Sequence, residues 1–312
     1  MKVLISGRNS FIGKYLEPRL EAVGYTVYGL ETAKGEYVDL RDKKAVEECV
    51  KRVQPDFVVH LAAKTEVALS FDNYAEVSEV NYVGTVILAE ANRLFNSKLK
   101  LFLMASTMET YGHQEASDGP FTELTEQRPM APYAVAKLAC EKYLHYMQYA
   151  YSFPYVILRQ TNAYGRVDND FFVMERIITQ MLWEDNCNLG NGDPIRNFIY
   201  IDDLIDLYML LLEKYKDVRG ETFVTGPDNG LTIKELVDLV AKQLNWSGEI
   251  NWGTMPERPG EIYYLNSNAD KAKKLLGWEA KISLEEGINR TIEIWKNQYI
   301  QHPSIANSAE HV

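Results

Sequence analysis

Short β-rich runs alternate with helical patterns from the first residues onward, and this alternation constrains the fold more than any other feature of the chain. The strand-like runs lie at residues 2–6, 26–30, 56–60, 100–106 and 154–159. Between them, apolar residues recur with a helical period at residues 11–23, 43–53, 80–95 and 133–150. Strands joined through helices need crossover connections, so the pattern predicts an α/β fold with a doubly wound parallel sheet and helices on both faces.

After about residue 165 the alternation loosens, which indicates a smaller and mixed C-terminal lobe. Helical patterns at 171–184, 202–214, 232–245, 269–276 and 284–299 accompany a short strand at 197–201. We expect a dinucleotide-binding (Rossmann) domain over residues 1–165, with later strands returning to it from roughly 197–225. Residues 166–302 would then form mainly a substrate-binding lobe, and residues 303–312 a frayed tail.

Charge and apolar patterning exclude several classes of function. The chain has 33 basic and 44 acidic side chains, a formal net charge of −11, which opposes binding to nucleic acid but permits a local basic pocket for a small anion. The longest apolar runs are far shorter than the ~18 residues that cross a bilayer, so we expect a cytoplasmic protein that does not enter the membrane. Cys49, Cys140 and Cys187 form no CxxC pair, which favours reduced thiols and no structural metal.

A glycine-containing turn between the first strand and the first helix is typical of a site for the pyrophosphate of a dinucleotide. The segment runs Gly7-Arg-Asn-Ser10-Phe11-Ile12-Gly13, a GxxGxxG pattern with serine in the middle. Glycines let the backbone approach a phosphate at the helix N-terminus, so we predict that these five named residues contact a cofactor. The alternative is a tight turn that binds no ligand.

Acidic and small residues at later strand ends indicate the rest of this cofactor site. Glu31 lies 18 residues after Gly13, where an acid accepts hydrogen bonds from the adenosine ribose, and its carboxylate would repel a 2′-phosphate. This favours NAD over NADP. Asp39-Leu40 is a candidate contact to the adenine. Leu61-Ala62-Ala63 ends a strand, and we expect this strand end, with its small residues, to lie beside the pyrophosphate. For Glu31, the alternative is a solvated acid at a strand end.

Tyr133 and Lys137 are four residues apart and therefore share one face of a helix. A nearby ammonium stabilises a phenolate, so we expect Lys137 to lower the pKa of Tyr133. The phenolate could then accept a hydroxyl proton while hydride leaves the carbon. The alternative is an exposed pair without a catalytic role.

Taken together, these segments resemble the extended short-chain dehydrogenases/reductases that act on nucleotide sugars, the NAD-dependent epimerase/dehydratase family. The resemblance covers nearly the whole chain. It rests on an ordered series of motifs, which are Gly7 to Gly13, His60-Leu-Ala-Ala63, Asn81 in Asn-Tyr-Val-Gly-Thr, Ser106-Thr-Met-Glu-Thr-Tyr-Gly112, Pro132-Tyr-Ala-Val-Ala-Lys137, Arg159 to Gly165, Arg196 to Asp203, Arg258-Pro-Gly-Glu261 and Leu276-Gly-Trp278.

The resemblance implies NAD as cofactor, a nucleoside-diphosphate sugar as substrate and a role for each matching residue. Thr107 would hydrogen-bond the sugar O4, Tyr133 would be the base at O4, and Lys137 would hold the nicotinamide ribose. The diphosphate would be held by Asn162, Arg196 and Arg258. Arg166 departs from the family, in which proline commonly follows the Tyr-Gly pair. Phe171 and Phe172 are interpreted as packing residues.

The resemblance also implies a homodimer, in which the helices predicted at 80–95 and 133–150 pair with those of a second copy. The alternative is that the apolar positions of these helices face the protein's own sheet.

The segment Thr107-Met108-Glu109 decides the subclass. Sugar 4,6-dehydratases of this family typically have Thr-Asp-Glu or Thr-Ser-Glu there, where the glutamate removes the C5 proton after C4 is oxidised and its neighbour assists loss of the C6 hydroxyl. Glu109 fits its role, whereas a thioether at Met108 cannot donate a proton. We expect all three residues to contact the sugar of a 4,6-dehydratase-like enzyme. A 4-epimerase is the first alternative, and a catalytically silent NAD-binding protein is the second.

Overall fold

The centre of the protein is a parallel sheet, seen in a computed structural model that describes residues 1–167 and 169–301. The strands are β1 (Lys2–Ser6), β2 (Thr26–Gly29), β3 (Phe57–His60), β4 (Leu101–Thr107), β5 (Tyr155–Gln160), β6 (Asn162–Tyr164), β7 (Asn186–Asn188), β8 (Ile195–Arg196), β9 (Phe198–Tyr200), β10 (Thr222–Val224), β11 (Leu231–Thr232), β12 (Glu249–Asn251) and β13 (Tyr264–Leu265). Six of them form the main sheet in the order β10-β5-β4-β3-β1-β2, and every neighbouring pair is parallel.

Helices cover both faces of this sheet. They are α1 (Phe11–Ala22), α2 (Lys43–Val53), α3 (Tyr74–Val77), α4 (Gly84–Phe95), α5 (Pro132–Tyr151), α6 (Val173–Trp183), α7 (Ile201–Glu213), α8 (Ile233–Leu244), α9 (Asp270–Leu276) and α10 (Leu284–Gln301). A π-helical segment, Ser78–Val83, joins α3 to α4, so the helix predicted at 80–95 begins earlier than expected. Such segments are rare and are frequently found at functional sites.

Alternation along the buried strands places a hydrophobic core on each side of the sheet. In β1, Val3 and Ile5 belong to the core that packs against α1 and α7, whereas Leu4 belongs to the core that packs against α2, α4 and α5. Successive side chains of a strand point to opposite faces, so a strand that is buried on both faces is apolar throughout. The predicted doubly wound α/β fold is confirmed.

The C-terminal part forms small sheets around the end of the main one. These pair β8 with β11 on one side and β13 on the other, β12 with β7, and β6 with β9. One later strand, β10, returns to the main sheet beside β5, as the sequence predicted for the region 197–225. The domain boundaries remain a prediction, and the expected tail at 303–312 lies outside the described residues.

Candidate active site

A cavity of about 550 Å³ opens at the carboxyl edge of the main sheet, where β1, β3, β4 and β5 all end. Open α/β sheets bind their ligands at this edge, and the volume suits a small-molecule ligand. Residues from both lobes line it. Those predicted from the sequence are Ser10, Phe11, Ile12, Leu61, Thr107, Glu109, Tyr133, Lys137, Asn162, Arg196 and Arg258.

The turn after β1 has the geometry that a pyrophosphate needs. Gly7 has φ +77°, and a side chain there would put its Cβ 2.8 Å from the Ala62 nitrogen. A Cβ at Gly13 would collide with the carbonyl oxygen of Arg8. Ser10 is the N-cap of α1 and accepts a hydrogen bond from the Gly13 nitrogen at 3.2 Å. The first N–H groups of the helix, those of Phe11 and Ile12, lack intrahelical acceptors and lie at its positive end.

The predicted adenosine contacts lie in different environments. Glu31 follows β2 and stands beside the turn, with its Oε1 3.7 Å from Arg8 Nη1. Asp39 accepts hydrogen bonds from Arg41, whose guanidinium lowers the pKa of that carboxyl. Leu40 is buried in the core against Gly84, so only its backbone is free to meet a ligand.

The strand end after β3 lies close to the glycine turn. The Ala62 nitrogen donates a hydrogen bond to the Ser6 carbonyl oxygen at 3.0 Å, and Ala62 and Ala63 are both half-buried. Of the three residues predicted there, Leu61 lines the cavity, while a cofactor contact by Ala62 and Ala63 stays a prediction.

Tyr133 and Lys137 project from the first turns of α5 into the cavity, and both are buried. Lys137 Nζ donates a hydrogen bond to the Ala105 carbonyl oxygen at 2.9 Å, and burial lowers its pKa. Burial, followed by the Glu109 carboxylate, raises the pKa of Tyr133, and the Thr107 side chain opposes part of this rise. In this structure the pKa of Tyr133 is therefore raised, whereas the spacing to Lys137 predicted a lowered one.

Four charged side chains form a cluster at the cavity, and three of them, Glu109, Arg196 and Arg258, line it. Arg258 Nη2 lies 3.4 Å from Glu109 Oε1, and Arg258 Nε lies 3.0 Å from Glu261 Oε2. Arg196 Nη2 is 2.9 Å from Glu261 Oε1, and burial lowers the pKa of Arg196. Glu261 belongs to the motif Arg258-Pro-Gly-Glu261, and the sequence predicted no role for it. Only the structure shows that this carboxylate lies between two arginines.

Glu109 has one oxygen that no protein group satisfies. Its Oε2 is buried and has no hydrogen-bond partner among the described residues. A buried carboxylate oxygen without a partner is costly, so it marks a place where a ligand donates or where a proton is exchanged.

Met108 does not reach the cavity, although the sequence predicted that it contacts substrate. Its side chain is 2% exposed and packs in a hydrophobic cluster with Tyr111, Phe121 and Tyr264. The short 3-10 turn at Met108–Tyr111 sends the apolar side chain into the core, while Glu109 faces the cavity.

Several cavity residues carry no role in the sequence analysis. Arg166 lies between two aromatic rings, with its guanidinium carbon 4.4 Å from the centre of Phe11 and 3.8 Å from that of Phe172. It also pairs with the fully buried Glu175, at 3.0 Å from Nη1 to Oε2. Phe171 and Phe172, interpreted as packing residues, line the cavity. The only sequence feature that drew attention to this position was the arginine at 166, where the family commonly has proline.

A buried polar chain supports the cofactor end from behind. Ser6 Oγ lies 2.6 Å from His60 Nδ1, His60 Nε2 lies 2.8 Å from Thr85 Oγ1, and Thr85 donates to the Asn81 carbonyl oxygen at 2.5 Å. Burial, assisted by the Lys137 charge, lowers the pKa of His60 to about 3. The chain thus connects the end of β1 to the π-helical segment.

Neither a membrane-spanning helix nor a metal cluster is found in residues 1–167 and 169–301. No helix there is long and apolar enough to cross a membrane. No three His, Cys, Asp or Glu side chains there are grouped so that they could hold a metal ion.

Comparison with known proteins places the whole chain among enzymes of nucleotide-sugar metabolism. The family model described as GDP-mannose 4,6 dehydratase matches residues 31–291. The chain is 30% identical over 279 residues to the dTDP-D-glucose 4,6-dehydratase of Homo sapiens. The aligned region covers 87% of this chain and 77% of the human protein.

Solved structures of epimerases have the same fold. The UDP-glucose 4-epimerase of Thermotoga maritima, solved with UDP-glucose, superposes with a TM-score of 0.87 at 28% identity, over 96% of this chain and 99% of that one. The UDP-glucuronic acid 4-epimerase of Bacillus cereus, in complex with UDP-glucuronic acid and NAD, has a TM-score of 0.85 at 27% identity, over 96% of this chain and 100% of that one.

Proposed function

The chain belongs to the family that the GDP-mannose 4,6 dehydratase model describes, and we propose that it is an NAD-dependent nucleotide-sugar 4,6-dehydratase. Solved relatives bind NAD and UDP-sugars. The glycine turn, the helix N-terminus behind it and the adjoining cavity fit such a cofactor with its nicotinamide end towards Tyr133 and Lys137.

One observation favours dehydration over simple epimerisation at C4. Glu109 lines the same cavity as Tyr133, acts on the pKa of that phenol and has a buried oxygen free of protein partners. Oxidation at C4 acidifies the hydrogen on C5, so a carboxylate near the O4 base is placed to remove it. A simple inversion at C4 needs no such base.

The residues divide the reaction among themselves. Tyr133 takes the proton of the C4 hydroxyl, which Thr107 orients, and Lys137 holds the cofactor ribose. Oxidised NAD supplies, when bound, the hydride acceptor and a positive charge that favours the phenolate form of Tyr133. Glu109 then removes the C5 proton and passes it to the C6 hydroxyl, which leaves as water, and return of the hydride to C6 with a solvent proton to C5 completes the product.

The diphosphate of the substrate is assigned to Asn162, Arg196 and Arg258. Two guanidinium groups and an amide at one end of a cavity match the charge and the oxygen acceptors of a diphosphate. To engage it, the arginines exchange part of their pairing with Glu261 and Glu109 for phosphate oxygens.

A 4-epimerase is the second candidate, and Met108 is the observation that favours it. Because its side chain is buried in the core, the position next to Glu109 offers no acid for the C6 hydroxyl. The comparisons include enzymes of both kinds.

The test uses deuterated water and nucleoside-diphosphate hexoses with UDP, GDP, CDP and dTDP. We expect a keto-sugar carrying solvent deuterium at C5. Glu109→Gln should abolish elimination and exchange, yet still oxidise C4 and show transient NADH absorbance. Glu126→Gln, at an exposed carboxylate paired with Arg128, is the control. An interconverted sugar without deuterium, with Glu109→Gln still active, would make the protein a 4-epimerase.

We propose a homodimer that pairs α4 and α5 with those of a second copy. Val83, Leu94, Val135 and Tyr146 leave apolar surface exposed on this side, while Leu88 and Leu144 pack against the protein's own sheet. Light scattering at micromolar concentration should give twice the monomer mass, and a monomer mass would reject the dimer. The cytoplasmic location stays a prediction from the sequence.

A further inference from the structure

Arg8 and its two acidic partners form a charged triad beside the glycine turn, outside the residues given a role so far. Glu17 on α1 holds the guanidinium along one edge: Arg8 Nε donates to Glu17 Oε2 at 2.7 Å, and Nη2 donates to Glu17 Oε1. The remaining nitrogen, Nη1, lies 3.7 Å from Glu31 Oε1. The side chains are 32%, 18% and 23% exposed for Arg8, Glu17 and Glu31. All three are therefore within reach of a ligand on the turn.

The triad contains both kinds of residue that determine whether a dinucleotide site binds NAD or NADP. An acid after the second strand hydrogen-bonds the ribose hydroxyls of NAD, whereas an arginine near the same place accommodates the 2′-phosphate of NADP. Arg8 is close enough to Glu31 to meet a phosphate on that ribose. The bidentate contact with Glu17 uses the edge of the guanidinium that a phosphate would need.

We propose that Glu17 is a specificity-determining residue that excludes NADP by keeping Arg8 engaged. The inference rests on the proposed function, since Glu31 has its meaning only in a dinucleotide site. With two carboxylates and one guanidinium, the triad has a net charge of −1, which opposes a phosphate of about −2. Neutralising Glu17 removes this excess and frees the guanidinium edge, while Glu31 still serves NAD.

The fixed backbone of the turn makes the side chain the moving part. The turn is packed closely against the start of α1, since a Cβ at Gly13 would collide with the Arg8 carbonyl oxygen, and Ser10 caps the helix. Release from Glu17 therefore turns the guanidinium towards the ribose side without displacing the phosphate-binding turn. NAD affinity should change little as a result.

The experiment measures which nucleotide the protein holds. Purified protein is dialysed to equilibrium against equal concentrations of NAD and NADP, and the bound nucleotides are released by denaturation and separated by chromatography. The wild type should hold mainly NAD. Glu17→Gln should lower the bound NAD-to-NADP ratio by about tenfold through added NADP, the size of one freed charge-assisted contact at a half-exposed site.

Two further variants separate the proposal from a general charge effect. Glu21→Gln removes an equal charge from the same helix, and Glu21 acts on Arg8 only at longer range, so the ratio should stay within twofold of wild type. The double variant Glu17→Gln/Arg8→Met should restore the wild-type ratio, because the phosphate contact is gone.

The proposal is overturned if Glu17→Gln leaves the ratio within twofold of wild type, or if the double variant keeps the shift. If Glu17→Gln is unfolded by circular dichroism, Glu17→Asp, which shortens the reach to Arg8, takes its place with the same expected direction. A wild-type protein that holds neither nucleotide would instead refute the proposed dinucleotide function.

Discussion

Acidification should destabilise this protein through His60, well above the pH at which carboxylates titrate. His60 is buried between Ser6 and Thr85, and its pKa falls from the usual 6.5 to about 3 in the folded protein. The folded pKa is depressed, so below pH 6.5 the unfolded chain binds a proton that the folded protein does not. Stability from the neutral imidazole is complete above pH 6.5 and is lost progressively as the pH falls towards 3.

The size of the effect follows from this difference. Each pH unit within that window costs about 1.4 kcal/mol of unfolding free energy per linked proton. Between about pH 7.5 and about pH 5, His60 alone should therefore remove about 2 kcal/mol. That is a large share of the stability of an ordinary domain. Charged groups facing the ring reinforce the effect, since the Lys137 ammonium opposes a second positive charge nearby.

The assay is urea unfolding followed by fluorescence at half-unit steps from about pH 7.5 to about pH 5. His60→Gln keeps a donor and an acceptor but does not titrate, so the slope of free energy against pH should flatten. His145→Gln is the matched control, because His145 is only half-buried and the Glu141 carboxylate opposes the lowering of its pKa by burial. Equal slopes for wild type and His60→Gln would refute the reasoning.

Three substitutions test the site and its surroundings. Tyr133→Phe should lower kcat by about 10²–10⁴ while the purified protein keeps its bound NAD, because only the proton acceptor is lost. Arg166→Met should cost about 3–5 kcal/mol in urea unfolding, since it leaves the buried Glu175 charge unpaired, and adding Glu175→Gln should recover most of it. Met108→Asp should lower the melting temperature without faster elimination, because the carboxylate enters an apolar cluster.

The strands of the main sheet and the helices beside it could be predicted because the hydrophobic pattern of each one lies within its own short segment. The turn from Gly7 to Gly13 was predictable for the same reason. Contacts between distant segments were not. The triad of Arg8, Glu17 and Glu31 joins a turn, a helix and a strand end, and no local pattern shows that these side chains meet.

The pKa of Tyr133 and the direction of the Met108 side chain could not be predicted from the sequence either. The four-residue spacing correctly put Tyr133 and Lys137 into one cavity. The pKa of the phenol depends instead on burial and on Glu109, which lies in the 3-10 turn after β4. The motif predicted that Met108 contacts the sugar. Its apolar side chain, at the start of a 3-10 turn, packs into a hydrophobic cluster instead.

The burial of Met108 narrows where the acid for the C6 hydroxyl can come from. Among the described residues that line the cavity, the carboxyl groups are those of Glu66, Glu109 and Glu175. Glu175 is engaged by Arg166 and by two backbone N–H groups, so its oxygens are already occupied. Glu109 has an oxygen without a hydrogen-bond partner among the described residues, and in the proposed dehydration it would hold the C5 proton after the first deprotonation. In a dehydratase built on this site, that proton has its shortest path to the departing hydroxyl through Glu109 itself, with Glu66 as the remaining carboxyl donor.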